Sequence, residues 1–201
     1  MLLSINAEHP EPRKIRQAVE LIEKGGVIAY PTDTVYGLGC DILNKQAIDT
    51  LYQIKGMRRD KALAFICPDL SDIARYAIVE NTAYRVLKRH LPGPYCFVLT
   101  ATREVPKMVQ TKQRTVGIRV PDHPVTLALV RELGRPLIST TAALPDEEPM
   151  IDPDEIDKRF RGLAMVLDAG ACGSVPTTIV DLSDGSVRIL RKGAGPTDDL
   201  E

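Results

Sequence analysis

The sequence predicts a layered α/β domain on a mixed sheet, and three observations carry the prediction. Short apolar runs suited to strands, at 27–30, 63–67, 95–102, 115–120, 136–141 and 163–167, alternate with stretches whose apolar residues recur at helical spacing. Two further β-type runs, 178–182 and 186–191, flank Asp184-Gly185, a hairpin signal, so part of the sheet must be antiparallel. With 201 residues and 44% hydrophobic content, the chain can bury a core without disulfide or metal support. No repeat or linker divides it. The expectation is one domain over 1–201, its core at about 12–195 and a polar, frayed tail at 196–201.

The elements follow in order. Ile15, Ala18, Val19 and Ile22 mark one face of a helix over 13–24, which Gly25-Gly26 closes. The strand at 27–30 runs into Pro31. A helix over 46–55 carries Ile48, Leu51 and Tyr52 and stops at Gly56, and Pro68 halts the strand at 63–67. Asn81 reads as the N-cap of a helix to His90, which Pro92-Gly93-Pro94 terminates. Pro121 ends the strand at 115–120, Asp122 caps a helix through Leu133, and Asp152-Pro153-Asp154-Glu155 opens another.

Several function classes are excluded by composition. The apolar runs are too short to span a bilayer, and the first residues lack the basic and apolar regions of a secretory leader, so a cytoplasmic protein is expected. Cys40, Cys67, Cys96 and Cys172 are widely spaced and form no ligand pattern with His9, His90 and His123, so reduced thiols and no structural metal are expected. The net charge of −1 announces no nucleic-acid binding, although basic residues cluster at 55–61, 85–90, 112–114 and 188–192.

Three hydroxyl-rich segments could carry chemistry. In Pro31-Thr32-Asp33-Thr34-Val35-Tyr36-Gly37-Leu38-Gly39, hydroxyls and two glycines suit close approach to an anion, and a tight structural turn explains the composition equally well. It is neither a Walker loop nor a dinucleotide fingerprint. Ser139-Thr140-Thr141 ends a strand, the edge where open α/β sheets gather ligands, and Thr177-Thr178 enters another. Arg119 and Arg191 lie within apolar strands, where a guanidinium must face solvent or pair with an anion. No acyl-enzyme elbow, zinc-protease helix or Cys–His pairing is present.

Taken in register, the segments 25–41, 54–58, 91–99, 117–124, 136–142, 176–181 and 189–193 resemble the YrdC/YciO family, which includes L-threonylcarbamoyladenylate synthases. The resemblance implies a YrdC-like twisted mixed sheet flanked by helices, with a concave basic cleft. Its synthases are nucleotidyltransferases that join L-threonine, bicarbonate and ATP-Mg into threonylcarbamoyl-AMP for the t6A modification of tRNA. Carried over by position, Lys55, Arg58, Ser139 and Thr141 would form the catalytic set. Thr32, Thr34 and Tyr36 would shape the threonine end, with Thr140 a further substrate contact and Thr178 completing the amino-acid pocket. Lys61, Arg119 and Arg191, with Lys55 and Ser139, would face the phosphates of ATP or AMP, with Mg²⁺ arriving on the nucleotide.

The synthase pattern Lys-x-Arg and Ser-x-Asn is eroded here. Lys55 stands, but Met57 occupies the Arg position, with Arg58 one place late, while Thr141 replaces Ser and Ala143 replaces Asn. That erosion resembles the YciO branch. Synthesis of threonylcarbamoyl-AMP, its hydrolysis, and non-catalytic binding of tRNA or double-stranded RNA, with or without a ribosome, all stay open on these residues.

Overall fold

The elements in chain order are β1 (Leu2–Ser4), α1 (Pro12–Glu23), β2 (Ile28–Tyr30), β3 (Gly37–Asp41), α2 (Lys45–Lys55), β4 (Ala64–Ile66), α3 (Leu70–Tyr76) and α4 (Asn81–His90). Then come β5 (Tyr95–Thr100), β6 (Thr115–Arg119), α5 (Pro124–Leu133), β7 (Leu137–Thr141), α6 (Pro153–Arg159), β8 (Met165–Asp168), β9 (Thr178–Asp181) and β10 (Arg188–Arg191). In the computed structural model, which describes residues 1–59 and 61–200, the strands form one open sheet in the order β1-β8-β2-β3-β7-β4-β6-β5-β9-β10. The sheet is mixed as expected: β4 runs parallel to β6 and β5 to β9, whereas β3 with β7 and β9 with β10 are antiparallel.

Alternation along each strand sorts its residues onto two faces. Phe65, Phe97, Ile118, Ile138 and Val180 point to a layer made by α2, α3, α4 and α6. On the other face α1 and α5 pack Ile15, Ala18, Ile22, Leu129 and Leu133 against Ile28, Ile66, Leu137 and Met165. That second layer stops short. Beyond Ile66 and Leu137, no helix among the described residues covers this face of β4, β6, β5 and β9, and the bare area becomes the cleft.

Four expectations are corrected. The stretch from Gly37 is a strand and not a loop, because tertiary pairing with β2 and β7 overrides the weak strand preference of glycine. Helix α4 is preceded by Glu80, with Asn81 its first residue, so Asn81 is no cap. Helix α5 is capped by His123, whose ring accepts from Val125 N–H, and not by Asp122. The tail is docked. Thr197 and Leu200 are buried, Tyr95 Oη donates to Pro196 C=O at 2.9 Å, and His90 Nε2 lies 3.2 Å from Asp199 Oδ1. Deleting residues 196–201 should therefore lower the unfolding free energy by about 2–3 kcal/mol, chiefly by uncovering the surface that Leu200 seals. Urea denaturation reads this directly, and an unchanged midpoint would mean that the tail contributes nothing.

Candidate functional site: a trough of small residues

Backbone register explains why the bare face is concave. Gly39, Ser139, Ala64 and Gly117 are successive cross-strand partners on β3, β7, β4 and β6, so a row of short side chains crosses four strands. The space above them forms a cleft of about 450 Å³. Behind its β3 side lies the Tyr30 ring, which is fully buried in the core and shares a short hydrogen bond between its hydroxyl and the Oγ of Ser139, a lining residue. Burial pushes the Tyr30 phenol up to about 12, so it serves Ser139 as a neutral partner.

Tyr30 also supplies the reason for the two glycines. A Cβ at Gly37 would stand 2.9 Å from Tyr30 Cζ, and one at Gly39 would stand 2.9 Å from Cε1 and 3.0 Å from Ile138 O. These glycines make room for a ring, and the close-approach-to-anion reading of them is corrected. Gly39→Ala should cost about 1–3 kcal/mol by overpacking. Chemical denaturation checks it, and wild-type stability would contradict the account.

Arg119 closes the trough beside the loop before β3. Its Nη2 donates to Asp33 Oδ1 and to Thr34 Oγ1, both at 3.1 Å. Its Nε and the second oxygen of Asp33 are buried without partners among the described residues. Thr32 Oγ1 accepts from Thr34 N–H and donates to Val35 C=O, which fixes the loop on itself. Arg191, near enough to feel the Arg119 charge, bonds the carbonyl of Thr177 at 2.8 Å and its hydroxyl at 3.1 Å. Burial lowers the Arg191 pKa.

A second lobe of about 510 Å³ continues from the first, sharing Thr141 and Arg191. Lys55, Met57, Lys61 and the acidic loop of Asp146, Glu147 and Glu148 line it. Lys55 is buried, and its Nζ donates to the carbonyls of Thr141, at 2.9 Å, and of Ala143.

The structure thus brings Ser139, Thr140, Thr141, Arg119, Arg191, Lys55 and Lys61 around one two-lobed cleft. Thr32 and Thr34 reach it only through Arg119 and the loop. Tyr36 is a core residue whose hydroxyl donates to Gly170 C=O. Arg58 is exposed and lines neither lobe, whereas Met57 lines the second. Thr178 is fully buried, donating to Gly195 C=O at 2.6 Å and accepting from Gly193 N–H. The cleft residue of that pair is Thr177, as strand alternation with the core residue Val180 could have indicated. Tyr30 was also missed as a site residue, since its role depends on pairing across three strands.

An open mixed sheet with one half-bare face, floored by small residues and edged by arginines and a buried lysine, carries a two-lobed cleft. Residues 20–193 match the Sua5/YciO/YrdC family model, described as telomere recombination, and the chain belongs to that family. It is 40% identical to YciO of Escherichia coli over 194 residues, covering 95% of this chain and 94% of that protein. The crystal structure of E. coli YciO superposes with a TM-score of 0.96 at 38% identity, covering 100% of this chain and 99% of the other. A threonylcarbamoyl-AMP synthase of Hydrogenovibrio crunogenus is 38% identical over 156 residues, 76% of this chain and 84% of that one. The P. abyssi Sua5 structure complexed with L-threonine matches with a TM-score of 0.93 at 28% identity, over 100% of this chain and 60% of its own.

Proposed function

We propose that this chain acts on threonylcarbamoyl-AMP in t6A metabolism, with the adenylate along the trough and the threonine end toward the Thr32–Thr34 loop. The supporting observation is the trough itself. Arg119, buried with an unused Nε and held by Asp33, stands where a phosphate or carboxylate oxygen would complete its donors, and Tyr30 fixes the Ser139 hydroxyl opposite. The fold is that of a Sua5 structure complexed with L-threonine.

A mixed carbamoyl–phosphate anhydride is labile by itself, so positioning and charge neutralisation accomplish much of its chemistry. Arg119 and Arg191 supply positive charge to the trough, and Thr141 adds a hydroxyl where the lobes meet. Among the described residues no group of three His, Cys, Asp or Glu side chains could hold a metal ion. Mg²⁺ would come bound to ATP in a synthetic direction. Methionine at 57 and alanine at 143 reduce the donors available to a triphosphate.

Calorimetry with AMP, ATP-Mg and L-threonine, alone and in pairs, together with consumption of synthetic threonylcarbamoyl-AMP, tests the reading. Binding of AMP and turnover of the anhydride are expected. Neither binding nor turnover would remove it.

A further inference from the structure

Lys55 is the last residue of α2, and Gly56 in a left-handed conformation turns the chain away immediately after it. The residue is 7% exposed, and among the described residues no carboxylate pairs with it. Its two acceptors are main-chain carbonyls, those of Thr141 and Ala143, on the segment that leaves β7. A primary amine has three positions besides its carbon. Two are used as N–H donors to these carbonyls whether the nitrogen is charged or neutral. The third is left for the lobe that Lys55 lines, as an N–H in one state and a lone pair in the other. A proton can enter or leave there without breaking either bond.

The surroundings favour such traffic. Burial brings the Lys55 ammonium down to about 8, with no charged neighbour needed to do so. Besides Lys55, the charged groups lining the lobe are the basic Lys61 and Arg191 and the acidic Asp146, Glu147 and Glu148. Glu147 is engaged by Arg159, at 2.9 and 3.1 Å. The remaining polar groups of the cleft are less suited to moving a proton. Ser139 is tied to Tyr30, and Arg119 and Arg191 keep their charge. Neither His90 nor His123 lines either lobe.

Granted that the cleft handles threonylcarbamoyl-AMP, we infer that Lys55 is its proton-transfer group, taking a proton from the water that attacks the carbamoyl carbon. As the water oxygen bonds to that carbon, one proton moves to the lone pair of Nζ. The bond from the carbon to the bridging phosphate oxygen breaks, and AMP leaves with the electron pair. The carbamic acid of threonine so formed loses its own proton to solvent, and Lys55 then releases the proton that it took. No oxidant, metal or further reactant enters the balance.

The test follows AMP release from synthetic threonylcarbamoyl-AMP, above the uncatalysed rate, over roughly pH 6–10. In the wild type kcat should climb about tenfold per pH unit and level off near the titration of Lys55, about 8. Lys55→Arg keeps a cation and its donors but holds its proton throughout this range. It should lose at least about a hundredfold in kcat while AMP affinity, measured by calorimetry, stays within about threefold. Lys55→Ala should show a similar loss, and added methylamine should restore part of the rate in proportion to its free base. A purely structural lysine would show no such rescue. Lys55→Arg with wild-type kcat, or Lys55→Ala deaf to methylamine, overturns the role of Lys55 alone. A wild type that does not consume the anhydride overturns the substrate and the base together.

Discussion

Replacing Arg119 with methionine is expected to lower the unfolding free energy by about 3–5 kcal/mol, because it strands Asp33 as a buried, unpaired carboxylate. The Arg119 and Asp33 side chains are each only 10% exposed, and one Nη2 serves both Asp33 and Thr34. Removing the guanidinium therefore releases the loop before β3 as well as one wall of the trough. A second substitution separates these effects. Asp33→Asn in the same chain removes the stranded charge and should recover most of the lost stability, without restoring AMP binding. Guanidinium or urea denaturation reads the first quantity and calorimetry the second. Equal instability of the single and double variants would show that the pair is not what Arg119 contributes.

Gly193→Ala should be nearly as damaging, at about 3 kcal/mol, the upper end of overpacking costs. A Cβ there would lie 2.3 Å from Pro176 O and 2.5 Å from Thr177 C and O. These are main-chain atoms, so no rotamer change relieves the clash. The chain after β10 would have to lift, breaking the bond from Gly193 N–H to Thr178 Oγ1 and loosening the grip of Arg191 on Thr177. Lost stability should accordingly be accompanied by weaker AMP binding, even though Gly193 lines neither lobe. A variant with wild-type stability and affinity would contradict this coupling.

Legibility in the sequence followed how local each cause was. The β9–β10 hairpin was readable because Asp184-Gly185 states its own turn, and Gly185 has φ 81° as such a turn requires. Helices α1 and α2 were readable from their apolar spacing and terminal glycines. Strand β3 was not, since Gly37-Leu38-Gly39 is a poor strand by composition and exists because β2 and β7 pair on either side and Tyr30 fills the space above. Strand β1 and helix α3 are short, and only Asp69, accepting from Asp72 N–H, marks the latter's start.

The same division holds in the cleft. Hydroxyls and arginines on strand ends pointed to Ser139, Thr141, Arg119 and Arg191. Which threonine of 177 and 178 faces the cleft depends on strand phase, and what Lys55 touches depends on a segment almost ninety positions away. Residue type located the site, and long-range pairing assigned the roles.

The order of the strands has a bearing on how the molecule is made. Strand β5 finds its outer neighbour only in β9, and β3 finds its second one in β7, so both wait for most of the chain to be synthesised. Pairings of such separation form slowly and keep intermediates waiting. A chain clipped or stalled before Thr178 would leave Tyr95–Thr100 as a bare sheet edge, with Phe97 and Leu99 poorly screened. Such a fragment should therefore aggregate through that edge instead of persisting as a weaker version of the whole, and quality control would meet it as an insoluble species.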